Sequence, residues 1–243
     1  MLKKIFDKFH ILQNIYLKNK HFIKKKSYSM DGEDLEIVKY FENLNNGFYV
    51  DVGCYHPIEM NNTYLLYKKN WKGVNIDISK FSIDLFNFLR PDDLNYNLAI
   101  SNKDGEHEYY YQKKLSKLST LKKTIAKGVF QGNFKTKKII TSKLSTLIDK
   151  TKFKNKKIDF LNVDAEGSDF DVLKSLNFDI YRPKLICVEI ITNPSLAPGY
   201  QFSHITKLGD SEIYKFLMKL NYIKTWSGVF SHLFADNFLK KIL

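Results

Sequence analysis

Phe48-Tyr49-Val50-Asp51-Val52-Gly53-Cys54-Tyr55-His56-Pro57 is an apolar strand, interrupted by one carboxylate, that runs straight into a glycine and a sharp turn. A second stretch of the same kind, Ile158-Asp159-Phe160-Leu161-Asn162-Val163-Asp164-Ala165-Glu166-Gly167, follows further along the chain. In an open parallel sheet, ligands bind outside the carboxyl ends of the strands, near the point where strand order reverses. The two stretches therefore predict a ligand cleft in which Asp51, Gly53, Asp164 and Glu166 are neighbours.

Outward from that pair, strand and helix patterns alternate. Residues 31–44 read as a helix with Ser29 or Asp31 as cap, and Asn45-Asn46-Gly47 as the turn into the strand at 48–52. Helices are expected at 61–69, 79–89, 168–176 and 211–220, and strands at 73–77, 94–100, 158–163 and 184–190. Residues 107–112 and 137–142 suit a local antiparallel pair. A terminal hairpin is expected from 221–226 and 229–235, joined through Ser227-Gly228. The order predicts an α/β fold built on a mostly parallel sheet with helices on both faces.

At 243 residues, 44% hydrophobic and 27% charged, the chain has room for one enzyme-sized core and little else. Cys54 and Cys187 lie far apart in strand or strand-end patterns, which favours reduced thiols in a cytoplasmic protein over a disulfide framework. No run reaches the ~20 apolar residues that span a bilayer. Residues 1–26 lack a small-residue cleavage site after an apolar core and so do not read as a secretory signal. Leu2, Ile5, Phe9, Leu12 and Tyr16 recur at three- and four-residue steps, marking this segment as a basic amphipathic helix ahead of a domain at 27–243. Its apolar stripe can pack on the domain, pair two subunits as a homodimer, or lie on anionic lipid at the inner membrane face.

The net charge of +13 is local. Residues 1–26 carry eight lysines against Asp7, and residues 113–157 carry fifteen against Asp149, which leaves the remainder of the chain at −8. A solvated lysine-rich surface accounts for this distribution. So does a lid-like insertion at 113–138, with Gly128 and Gly132 as hinges, that attracts an anionic substrate such as a nucleotide-sugar.

Six pieces in order carry a resemblance: Gly32-Glu33-Asp34, Asp51 to Pro57, Asn61-Asn62-Thr63-Tyr64, Trp71-Lys72-Gly73, Asn97 to Ser101, and Asp164-Ala165-Glu166-Gly167. Together they resemble the FkbM family of S-adenosylmethionine-dependent methyltransferases. The resemblance implies a Rossmann-like class I fold, with a seven-stranded sheet ending in an antiparallel hairpin. It also implies methyl transfer to a hydroxyl of a sugar, carried on a nucleotide or in a capsule or lipopolysaccharide glycan precursor; a phosphoramidate-type group or another small metabolite is the nearest variant. The chain departs from the family where Asp77-Ile78-Ser79 stands in place of the commoner Glu-Pro, and where Asn162 replaces Ile or Lys without evident consequence.

The residue types suit that chemistry. Glycine at 53 lets backbone pass close to a ligand, and the Asp51 carboxylate can bind a ligand ammonium or fix the turn. Pro57 occupies the place of a glycine in a dinucleotide loop, so Gly-x-Gly-x-x-Gly is absent and NAD is disfavoured. Asp77 ends its strand with paired acceptors suited to a ribose diol. The resemblance extends the cofactor-binding set to Ser29, Gly32, Glu33, Tyr55, Thr63, Ile78, Asn97 and Ala99. Glu33 and Asp34 serve equally as a helix start, since acidic groups suit a first turn.

Asp164 and Glu166 would stand where the methyl group is delivered. Asp164 is the first choice of base for the acceptor hydroxyl, with His56 and His204 as rivals. Asp164, Glu166, Glu189 and His204 could ligate a divalent cation, yet their spacing does not demand one and no metal site is assigned. The loop from Thr192 to Gly199 should line the acceptor pocket. Basicity permits a nucleic-acid methyltransferase or an RNA-binding module. The reactive strand end, however, reads Asp164-Ala165-Glu166-Gly167 where base-amino methylation has Asn or Asp followed by Pro-Pro, and two acids there would repel phosphate.

Overall fold

The structure is a computed structural model describing residues 2–18, 22–193 and 207–240, with side chains omitted for 2–4, 239 and 240. Its centre is the strand β1 (Phe48–Val52). The parallel neighbours of β1 are β2 (Lys72–Asp77) and β7 (Phe160–Val163). Beyond β2 lies β3 (Leu94–Asn97). Beyond β7 lie β8 (Leu185–Glu189), β10 (Ser231–Asp236) and β9 (Tyr222–Ser227), giving the order β3-β2-β1-β7-β8-β10-β9. Only β10 runs against the others. This is a Rossmann-like sheet with the expected terminal hairpin.

Residues of β1 are buried on both faces, which is why the strand reads as a continuous run and not as an alternation. Phe48, Val50 and Val52 face one core with Leu147 of α6 (Leu144–Asp149), Val172 of α7 (Asp169–Lys174) and Leu217 of α8 (Glu212–Lys219). Tyr49 faces the other, with Trp71, Ile37 of α2 (Glu33–Tyr40) and Leu66 of α3 (Tyr64–Lys68). The helix expected at 31–44 is shorter at both ends: Gly32 stands at its start in the left-handed region, φ 90°, and Phe41 closes it after Tyr40. Helix α4 (Lys80–Leu89) is capped by Ser79, whose Oγ accepts from the Ser82 amide at 3.2 Å.

Two expectations are corrected. The strand at 94–100 is broken: Asn97 donates to the carbonyls of Asp77 and Ile78, both at 3.0 Å, and the chain turns. Ala99–Ile100 (β4) then pairs with β6 (Lys135–Ser142), which is antiparallel to β5 (Gly105–Tyr111) in a second, three-stranded sheet. Gly128 is not a hinge, since it lies inside α5 (Lys123–Val129), a helix buried through Ala126 against Tyr110 and Phe130. Gly132 does sit in a turn, at φ 80°.

Candidate active site

Strand order reverses between β1 and β7, and a cleft opens there. Its empty space, open solvent included, is about 570 Å³. The walls are the turn after β1 (Gly53, Tyr55), the end of β2 (Asp77, Ile78), Leu98 to Ile100, the segment Ser116 to Leu121, and the turn from Asp164 to Ser168. Register places Asp51 opposite Asn162 and Val52 opposite Val163, so the two turns leave the sheet side by side. They touch so closely that a Cβ on Gly53, at φ 79°, would lie 1.7 Å from the Asp164 carbonyl oxygen. Only glycine satisfies both demands. Tyr55 and Glu166 also hold positive φ, 51° and 46°, a conformation that costs an L-residue about 1 kcal/mol or more and clusters at working sites.

Asp77 is held rigidly. Its Oδ2 accepts from the Tyr55 amide at 2.8 Å and its Oδ1 from the Ser79 amide at 2.7 Å. A carboxylate has more acceptor sites than these two amides occupy, and Asp77 is part of the cleft wall. Burial raises its carboxyl to about 6.

Asp164 is half-buried, with Oδ1 enclosed and without a hydrogen-bond partner among the described residues. Burial, with Asp169 and Asp51 nearby, raises its carboxyl to about 7, against the opposing pull of Lys117. Asp169 bends the turn by accepting from the amides of Ala165 at 2.7 Å and Gly167 at 3.0 Å. Its own carboxyl is raised by burial. Glu189, at the end of β8, is pushed well up by burial and then by Asp164, Glu166 and Asp169. These acids feel one another, yet among the described residues no three His, Cys, Asp or Glu side chains are grouped to hold a metal ion.

The basic insertion reaches this cluster. Segment 114–120 is pinned at both ends: Ser79 Oγ donates to the Lys114 carbonyl at 2.5 Å, and Thr120 Oγ1 donates to the Glu166 carbonyl at 2.8 Å. Between the pins, Ser116, Lys117 and Ser119 wall the cleft. Lys117 and Asp169 stand in no motif that announces them in the sequence.

Other expected site residues brace the cleft from behind. Asp51 is fully buried, and its oxygens accept from Asn162 Nδ2 at 2.9 Å, Thr63 Oγ1 at 2.8 Å and Asn61 Nδ2 at 3.3 Å. Burial raises its carboxyl in spite of these bonds. Asn162 thus has a clear consequence after all, since it also accepts from Asn62 Nδ2 at 2.9 Å. His56 takes a different task from a base: its Nδ1 accepts from the amides of Ile58 at 3.1 Å and Glu59 at 3.0 Å, and burial lowers its pKa to about 3. Ser29 Oγ accepts from the amides of Gly32 at 3.0 Å and Asp34 at 3.3 Å, making it the cap of this turn. Glu33 is buried beside Cys187, whose thiol is raised by burial and by that carboxylate, and it accepts from the Asp31 amide at 2.8 Å. Ala99 and Ile78 line the cleft, whereas the exposed Asn97 is not part of its wall and instead donates to the Asp77 carbonyl. Cys54 and Cys187 are buried free thiols. His204 and residues 194–199 of the expected acceptor loop lie outside the described residues.

Three comparisons bear on this geometry. A comparison with curated proteins found no match. Among solved structures, a provisionally assigned RNA methyltransferase from Pyrococcus horikoshii aligns at 9% identity over 87% of this chain and 88% of its own, with a TM-score of 0.37, which bears on neither substrate nor mechanism. The model of the methyltransferase FkbM domain matches residues 51–222, from the buried Asp51 through the cleft turns to the first residue of β9. With most of its length covered by that match, the chain belongs to the FkbM family and is a methyltransferase.

Proposed function

We propose that the cleft binds S-adenosylmethionine and that the protein methylates a hydroxyl of an anionic sugar substrate, such as a nucleotide-activated sugar or a surface-glycan precursor. The observation that carries this reading is the half-buried Asp164 carboxyl, one oxygen of which has no hydrogen-bond partner among the described residues, at the same cleft as Asp77 and Gly53. A buried acceptor without a partner is costly unless a ligand supplies the donor.

When bound, S-adenosylmethionine supplies a methyl group on a sulfonium. The chain does the rest by position and charge. Asp77, fixed by two amides, accepts from a ribose diol; Gly53 gives the ligand room against the backbone; Ile78, Leu98 and Ala99 offer an apolar wall to a base. The acidic groups at 164 and 166, in the cleft wall, favour a cation there. The Asp164 carboxylate at the cleft wall would take the proton of the acceptor hydroxyl, and segment 114–120 would keep water out, so that alignment supplies most of the acceleration. The lysines of the insertion draw in an acceptor that carries phosphate.

The test is mass spectrometry of products after incubating the protein and labelled cofactor with a panel of nucleotide-activated sugars; absence of any labelled sugar, with the cofactor bound, would exclude this acceptor class. Asp77→Asn keeps the shape but halves the acceptor set, and should weaken S-adenosylhomocysteine about tenfold by calorimetry, the loss of one or two charge-assisted bonds. Turnover should be unchanged by a chelator, and a strong drop that added magnesium restores would overturn the metal-free reading.

A further inference from the structure

The N-terminal helix α1 (Leu2–Leu12), continued by a π-helical turn at Gln13–Lys18, sits on the domain with Ile5, Phe6, Phe9 and Leu12 turned away. It docks through Ile11 and Ile15, which enter a small core with Leu85, while Asp7 faces Lys114 at 3.9 Å. The opposite side carries Ile5, Phe6, Phe9 and Leu12, at 58, 67, 60 and 44% exposure. On an α-helix these four fall within an arc of about 120°, diametrically away from the docking side. The expectation that the stripe packs on the domain is therefore corrected for Ile5, Phe9 and Leu12, while Tyr16 does pack there, against Phe88. An amphipathic helix that presents its apolar face to water is built to cover that face with something.

We infer that this face lies on an anionic phospholipid surface. Charge selects the occupant. Residues 1–26 hold eight lysines against one acid. A second copy would set one such arm against another and repel it, whereas anionic headgroups neutralise the lysines while the acyl boundary takes Phe6 and Phe9. The helix lies on the bilayer and does not cross it, because no described helix is long and apolar enough to span. The inference stands on the arm alone and is independent of what the cleft binds.

Sedimentation of the full chain with sucrose-loaded vesicles tests it. Binding is expected to mixed phosphatidylcholine–phosphatidylglycerol vesicles, to fall on adding salt, and to be at least about tenfold weaker on phosphatidylcholine alone. The double variant Phe6→Glu/Phe9→Glu should bind at least about tenfold more weakly while unfolding close to the wild-type temperature, since both side chains are mostly exposed already. Lys24→Glu/Lys25→Glu/Lys26→Glu, at exposed positions, provides a second variant with the same expected loss. Equal binding to both vesicle types, or unchanged binding by both variants, overturns the inference. So does a dimer in sedimentation velocity that Phe6→Glu/Phe9→Glu dissolves without any vesicle binding by the wild type.

Discussion

Asp164→Asn is expected to lower turnover by about 10²–10⁴-fold, the range that a positioned base contributes. The substitution keeps size and polarity and removes the ability to take a proton. In the wild type, kcat/KM should rise with pH through a limb near 7, where burial and the neighbouring Asp169 have moved the Asp164 carboxyl, because only the carboxylate can accept the hydroxyl proton. The variant should lack that limb. Stability should move the other way. The folded carboxyl titrates near 7 and the free one at 3.8, so the native state holds more protons in between, and the stability contribution present below 3.8 is lost as pH rises towards 7. Above that window the wild type confines a charge that asparagine does not carry. Asp164→Asn is therefore expected to be more stable than wild type by about 1–2 kcal/mol near pH 8, a gain of several degrees in Tm, and to show little gain near pH 5. A low-pH limb that persists unshifted in the variant would show that the base is another group. Enhanced stability with retained turnover would separate the buried acid from the chemistry altogether.

The features that the sequence exposes are those fixed locally. Five buried residues of β1 read as a strand because both faces of a central parallel strand are covered. Gly53 and the Asp164–Gly167 turn read as a cleft because a strand leaving a sheet into a glycine has few other uses, and the structure places those turns in contact. Long-range partnerships are a different matter. The bond from Asn162 to Asp51 joins residues 111 positions apart, and nothing near either one announces the other. The break at Asn97 is equally silent, since a strand pattern at 94–100 does not say that its last two residues pair with Thr141 and Ser142 in another sheet. Helix α5 hides in a lysine-rich run because its single buried stripe is short, with Ala126 at its centre. The amphipathic stripe of α1 was plain in its periodicity, but period alone does not tell which way a helix is turned.

Arg90 is the residue whose importance was least visible, and replacing it should have the largest structural effect. It follows α4 and precedes Pro91, where an arginine would ordinarily snorkel to solvent; instead its side chain is fully buried. Nη1 donates to Thr63 Oγ1 at 2.8 Å and to the Tyr49 hydroxyl at 3.4 Å, while Nη2 donates to Asn61 Oδ1 at 2.7 Å and to the Pro57 carbonyl. Thr63 and Asn61 pass the interaction to Asp51, and Tyr49 donates at 2.5 Å to Asp93, so one guanidinium balances two buried carboxylates without touching either. The ring of Phe86 lies 4.9 Å below it. Arg90→Leu fills similar apolar space but leaves Asp51 and Asp93 without a counter-charge and the turn from Pro57 to Thr63 without its anchor. The expected loss is about 3–5 kcal/mol, read as a lowered midpoint in urea unfolding. Because burial already raises both carboxyls, their protonation becomes the cheaper escape, and the variant should be relatively less destabilised at acid pH than at neutral pH. Adding Asp51→Asn to Arg90→Leu should recover part of the loss, since the pair are coupled and the second substitution removes a charge that the first has orphaned. Strict additivity of the two would mean that the relay through Thr63 and Asn61 carries no electrostatic load, and that Arg90 acts only as a clamp on the loop behind the cleft.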